Sequence, residues 1–268
     1  MFYYTLIGLL ACQCLVFGLF FPEKESTVQQ QETVEVQYTP EPDYIILAAV
    51  QPNQSSVPSG YWLINISPDN GHIVLTNLPQ DLTLPCGGTQ KKIADCYAYA
   101  GMMQVAESFA TTNVNARGYL CLIADQLTQW IDTFGTYTFK VPMAINQMGD
   151  YGMVAYKIAA GEQQMDGSLT TGYFNYCSFT NYEKDLLALQ MGQAALKQYL
   201  PTITEDFSQI MCQLINHTES NLTQGDILLL QKKLTTTYQR ENFEILIVQQ
   251  FGTEDFSSVM KRYYGLAQ

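Results

Sequence analysis

The chain has 268 residues, 47% of them hydrophobic and only 14% charged, a balance that supports a substantial core and argues against disorder outside a short polar linker. Its formal net charge of −12 repels nucleic acid, and Arg117, Arg240 and Arg262 are the only arginines, so neither nucleic-acid binding nor clamping of phosphate by several guanidinium forks is expected. Seven cysteines and two histidines, His72 and His217, show no zinc-ligand spacing. The five cysteines after Cys14 give no obvious disulfide framework, and Cys96 and Cys121 read as small buried hydrophobes.

Met1–Phe21 carries no charge and has about the length of apolar chain that crosses a bilayer as a helix. A cleaved signal peptide would begin with Lys or Arg, and a lipoprotein processed at Cys12 would turn polar after it; neither pattern is present. A single transmembrane anchor over 1–21 is therefore expected. Residues 22–43, PEKESTVQQQETVEVQYTPEPD, form a polar linker. Residues 44–268, about 225 in all, are of ordinary size for one α/β domain.

Tyr44–Val50 is a continuous apolar run, which predicts a strand covered on both faces at the sheet centre. Tyr61–Ser67 and His72–Leu78 flank the turn residues Pro68, Asp69, Asn70 and Gly71 and predict a hairpin. The stretch Asn77–Gly101 passes through Pro79, Pro85 and Gly87-Gly88 into an amphipathic helix, the kind of crossing where α/β folds place ligands. That helix runs through Cys96, Ala100, Met103 and Phe109 to a buried strand over Gly118–Ala124. Asp125 is expected to N-cap the next helix, with Gly135 closing it before a strand through Thr138–Pro142. Asn181 is expected to open a helix with Tyr182, Leu186, Leu189, Leu196 and Leu200 on one stripe, followed by a separate helix around Phe207–Leu214. A late strand over Phe243–Val248 and a short helix from Thr253 complete an α/β (α+β mixed) fold, a central mixed sheet flanked by helices.

Asn77-Leu78-Pro79-Gln80-Asp81 resembles the Ser/Ile-Pro-Arg-Asp turn of the LytR-CpsA-Psr proteins, and Lys92-Ile93-Ala94-Asp95-Cys96-Tyr97-Ala98-Tyr99-Ala100-Gly101 resembles their Lys-Ile-Asn-Ala-Ala-Tyr-Ala-Tyr-Gly-Gly helix start. Ile158–Gly167 is similar, almost position by position, to their Leu-x-x-Gly-x-Gln-x-Leu-Asp-Gly. Ser220–Asp226 resembles their Thr-Asn-Leu-Ser opening of a late helix. The resemblance implies a membrane-anchored extracytoplasmic domain that moves a phosphate-linked glycopolymer from a polyprenyl pyrophosphate carrier to cell wall, using arginines and Mg2+.

The charged positions depart from that pattern. The motif arginine is Gln80, an acidic position at the end of the first strand is Gln51, and Ser59-Gly60 stands where Asp-Thr is usual. Further on, arginine and aspartate positions fall at Asn175, Cys177, Asn181 and Leu187, with Lys184 a partial substitute. Losing one charge-stabilising group typically costs about 100-fold to 1,000-fold in turnover. The resemblance thus implies a substrate-binding set of Gln80, Asp81, Lys91, Lys92, Asn175, Cys177, Asn181 and Lys184, with Asp81 the remaining metal candidate and no catalytic residue assigned. Asp81 serves equally as a turn cap, and Lys91-Lys92 as a solvated surface pair. The leading expectation is a degenerate, single-pass cell-membrane protein that binds a polyprenyl-linked glycan, lipid or protein partner, with no cofactor assigned. Alternatives are an active transferase with a reduced cation set and Mg2+, and a structural assembly factor with a filled core.

Overall fold

The computed structural model describes residues 43–248, apart from 54, 113, 115, 149–153, 179–182 and 217. The anchor expected over Met1–Phe21, the linker as far as residue 42, and the helix expected from Thr253 lie outside the described residues.

The first strand, β1 (Tyr44–Gln51), is followed by β2 (Gly60–Ser67) and β3 (His72–Leu78), which form the expected hairpin in antiparallel register from Tyr61↔Leu78 to Ser67↔His72. At its turn Gly71 has φ of 70° and Asn70 Nδ2 donates to Ser67 Oγ at 2.8 Å. A short hairpin follows, β4 (Thr83–Cys86) and β5 (Thr89–Lys92), where sequence patterning reads as loop. Gly87 and Gly88, with φ of 58° and 80°, supply the tight connection.

Helix α1 (Ile93–Ala110) leads to β6 (Gly118–Ile123) and α2 (Ala124–Phe134). Asp125 lies inside the first turn of α2 instead of capping it; its amide donates to Asn53 Oδ1 at 3.1 Å, while Gln126 Oε1 accepts from Ile123 N. Gly135 closes the helix as expected, its N–H reaching Ile131 O. The chain continues through β7 (Tyr137–Val141), β8 (Ile145–Met148), β9 (Val154–Ile158) and β10 (Gly161–Met165), then α3 (Gly167–Ser178) and α4 (Glu183–Ile215). Helix α4 runs straight through Pro201, where sequence patterning places two helices. Proline removes one backbone bond, but Tyr199, Leu200, Phe207 and Met211 all bury against the same core, and that packing outweighs the break. After β11 (Glu219–Ser220), Thr223 and Asp226 form a reciprocal capping box for α5 (Gln224–Tyr238), and β12 (Glu244–Val248) ends the described chain.

The main sheet has the order β11-β6-β1-β2-β3-β12 and is mixed, β1 pairing parallel with β6 and antiparallel with β2. Alternate residues of β1 feed two separate cores. Ile45, Leu47 and Ala49 pack with Leu84, Cys86, Cys96 and Phe109 from the β4–β5 hairpin and α1. Tyr44, Ile46, Ala48 and Val50 pack instead against α2, α3, α4 and α5.

Candidate functional site

Between the sheet and α4 the second of these cores is hollow. A cavity of about 320 Å³ is walled by Val50, Trp62, Leu75 and Leu122 from the strands, by Trp130 from α2, and by Leu189 and Leu196 from α4. It stays open because α4 presents Ala188, Gly192 and Ala195 to it. A Cβ placed on Gly192 would meet only Leu75 Cδ1, at an ordinary 3.7 Å. The filled core offered as one reading of the sequence is therefore absent.

Three hydroxyl groups reach this wall, and each is already bonded within the protein. Thr170 Oγ1 donates to Asp166 O at 2.7 Å, so Tyr137 OH, 3.1 Å away, is the donor to Thr170. Tyr199 OH donates to Gly135 O at 2.5 Å. Burial pushes the Tyr137 phenol up to about 12 from its ordinary 10.0 and raises that of Tyr199 as well, so both are neutral at physiological pH. The wall thus offers hydrocarbon and hydrogen-bond acceptors, and no charge.

The sheet side of the cavity ends at Val50 and Leu122, one residue before Gln51 and Ile123 at the carboxyl ends of the parallel strands β1 and β6. That is where α/β folds place ligands. Here Gln51 is tied into the protein: its Nε2 donates to Ser55 O and its Oε1 faces Tyr97 OH at 3.3 Å. Gln80 is exposed, and its Nε2 donates to Ser59 O. Asp81 is exposed too, but the turn is closed by Leu82 N donating to Pro79 O at 3.0 Å and not by the Asp81 carboxylate.

Lys91 and Lys92 belong to β5, in the layer that packs on the α1 face of the sheet, opposite the cavity. Lys91 Nζ rests 4.6 Å from the centroid of the Tyr99 ring. Asn175, Cys177 and Lys184 fall within α3 and α4, with side chains outside the described residues, as is Asn181 altogether. Of the two described arginines, Arg240 donates to Pro68 O and faces Asp69 at 3.7 Å, while the amide of Arg117 binds Ile45 O. Both lie toward the start of β1, away from Gln51. Asp166 accepts from Leu169 N at 2.7 Å, which makes it the cap of α3.

Sequence reasoning passed over Glu219. Helix α1 breaks at Ala100 and Gly101, where Gly101 has φ of 68° and ψ of −163°. The freed amide of Met102 donates to Glu219 Oε1 at 2.9 Å, and Tyr97 OH donates to Glu219 Oε2 at 3.1 Å. A Cβ on Gly101 would lie 2.8 Å from that carboxylate. The glycine inside a helical pattern was the available signal.

The LytR_cpsA_psr family model matches residues 61–263. The chain belongs to the LytR_cpsA_psr family. No curated protein sequence matches it. A solved protein from Eubacterium siraeum, described as a transcription regulator, is 20% identical with a TM-score of 0.71, covering 90% of this chain and 99% of its own. Bacillus subtilis TagV is 14% identical with a TM-score of 0.61, over 78% and 85% of the two chains. TagT, solved bound to LI-WTA, is 12% identical with a TM-score of 0.58, over 85% and 87%. These neighbours share the fold.

Of the acids that the resemblance implies for Mg2+, the chain keeps Asp81 and lacks others. Magnesium takes hard oxygen ligands, usually carboxylates assisted by substrate phosphates. Gln51 and Ser59-Gly60 stand at two of the positions where the family pattern carries acids, and among the described residues no three His, Cys, Asp or Glu side chains converge.

Proposed function

We propose that this LytR_cpsA_psr protein is a membrane-tethered, extracytoplasmic binding domain of the cell envelope that holds the hydrocarbon part of a polyprenyl-linked glycan or lipid without transferring it. The domain is residues 44–268, carried on the linker 22–43 behind an anchor at 1–21. The observation that carries the reading is the cavity of about 320 Å³ with an uncharged wall. Burial of chain methylenes at about 0.8 kcal/mol each supplies affinity there without any ion pair. The binding of LI-WTA by TagT, a structural neighbour, supports an envelope glycopolymer as the ligand class.

Absence of transfer follows from the polar groups around Gln51. Phosphoryl transfer depends on neutralising negative charge as it develops. Gln51 and Gln80 donate their amides to the protein's own carbonyls, and both described arginines are at the other end of β1. The test is incubation of the full chain in lipid nanodiscs with Mg2+ and a polyprenyl-pyrophosphate sugar, alongside mass spectrometry of co-purified lipid. Retained lipid with no release of polyprenyl phosphate is expected; measurable release overturns the reading. Should release occur, Asp81→Ala reports whether the one acid kept from the turn motif takes part.

A further inference from the structure

The fold brings two cysteines into one thin layer on the α1 face of the sheet. In the β4–β5 hairpin Leu84 lies opposite Lys91, and Cys86 lies opposite Thr89. Side chains alternate along a strand, so Leu84 and Cys86 share a face, and both are 1% exposed. The hairpin passes directly into α1: β5 ends at Lys92, and Ile93 N donates to Leu82 O at 2.8 Å. The first turn of α1 is thereby laid on the buried face of the hairpin. Its inward residues are Ile93 and Cys96, neither with any exposure. Cys96 Sγ lies 3.9 Å from Lys91 O, the residue paired with Leu84. The side chains that the Cys96 thiol meets there are Cys86 and Ser108.

The neighbouring cysteines are differently placed. Cys121, also buried on this face, meets the Tyr97 hydroxyl, and Cys212 packs against the core on the other side of the sheet. The hairpin itself needs support, because an isolated pair of short strands is marginally stable in water, and each strand here has four residues, one of them Pro85. A covalent link from Cys86 to the first turn of α1 would fix it to the layer in which it packs. Burial, and after it the nearby Cys86, push the Cys96 thiol up to about 11, so in the docked hairpin that sulfur is protonated and shielded from reagents. Oxidation therefore belongs to the folding chain, before the hairpin closes over α1.

Resting on the extracytoplasmic placement proposed above, where disulfides persist, we propose that Cys86 and Cys96 are joined as a disulfide that staples the β4–β5 hairpin to the first turn of α1. The bond forms by exchange with a disulfide oxidant outside the membrane. One cysteine thiolate attacks a sulfur of the oxidant and expels the other as a thiolate; the second cysteine thiolate then displaces the remaining oxidant sulfur from the mixed disulfide. Two protein thiols and one oxidant disulfide become one protein disulfide and two oxidant thiols, which take up the two protons. The test treats cells expressing the full chain with N-ethylmaleimide, then denatures and digests the chain with trypsin. Cleavage after Lys91 and Lys92 puts Cys86 and Cys96 on different peptides. The expected result is those two peptides unlabelled, joined, and separating on reduction. Reductant is expected to lower the melting temperature of the full chain in nanodiscs by about 5–10 °C, to do the same in Cys121→Ala, and to leave Cys86→Ala unmoved. Protease added to intact cells reports separately where the domain lies. Both cysteines labelled in a domain that the protease reaches overturns the disulfide and leaves the extracytoplasmic reading intact. Both labelled in a domain that it does not reach overturns that reading and the disulfide with it. Linkage of either cysteine to Cys121, or a reductant effect that persists in Cys86→Ala, overturns the staple as well.

Discussion

The two faces of the central sheet draw on alternate residues of the same strands and end up differently packed. On the α1 face, Leu47, Leu63, Cys96, Met102 and Phe109 show no exposure at all, and a carboxylate, Glu219, pins the one irregular turn of α1. On the α4 face, side chains of similar character enclose about 320 Å³ of empty space. Interiors pack close to crystal density when nothing else is asked of them. On the proposed reading, the open space walled by hydrocarbon on the α4 face is where the guest sits.

The largest expected contrast comes from truncating one large side chain on each face. Phe109→Ala on the filled face is expected to cost about 4 kcal/mol, while Leu189→Ala, which already borders the void, costs about 2 kcal/mol. Equal losses in urea unfolding would erase the distinction. Next comes Gly101→Ala, which combines a glycine-only backbone conformation with a Cβ 2.8 Å from the Glu219 carboxylate. Strain of this kind costs about 1–3 kcal/mol and the displaced hydrogen bonds add to it, for a total of about 3 kcal/mol. A midpoint unchanged from the wild type would show that α1 does not depend on its latch.

The hollow face also carries a pH signature. The folded protein holds the Tyr137 proton up to about 12, whereas an unfolded phenol releases it near 10.0. Below the lower value both states bind the proton and the stabilisation is complete; it drains away as pH rises through the higher one, by about 2–3 kcal/mol. Tyr137→Phe is expected to flatten part of the fall in unfolding midpoint over that interval, the other buried phenols, Tyr44 and Tyr61 among them, keeping the rest. An identical pH profile in the variant would place Tyr137 in water, outside a dry wall.

What was legible in the sequence was mostly local. The apolar run of β1, the Pro68–Gly71 turn and the helix opening at Ser220–Asp226 each declare themselves within a few residues, and the structure has all three. The β4–β5 hairpin was within reach, since Gly87-Gly88 is a two-residue turn signal, but four-residue strands holding Pro85 hide their alternation. The start of α2 depends on Asn53, 72 positions away, and the kink in α1 on Glu219, 117 positions from the amide it holds. No window of sequence contains such partners. The cavity was illegible for another reason: leucines at helical spacing pack a core and wall a tunnel equally well, and only the small residues interleaved with them, Ala188, Gly192 and Ala195, distinguish the two.

Gly192 turns that last point into a measurement with a sign. A glycine inside a helix is about 1 kcal/mol less favourable than alanine, and α4 tolerates one at the centre of its buried stripe. Were the α4 face as tightly packed as the α1 face, a methyl group there would collide, and Gly192→Ala would destabilise by overpacking. The Cβ instead finds one neighbour at van der Waals distance and open space beyond it. Gly192→Ala is therefore expected to raise stability by about 1 kcal/mol, read as a higher melting temperature, and to shrink the room available for a bound chain. A lower melting temperature would mean that the two faces are alike after all; a higher one, with less co-purified lipid, would mean that the chain forgoes stability at Gly192 to keep the cavity open.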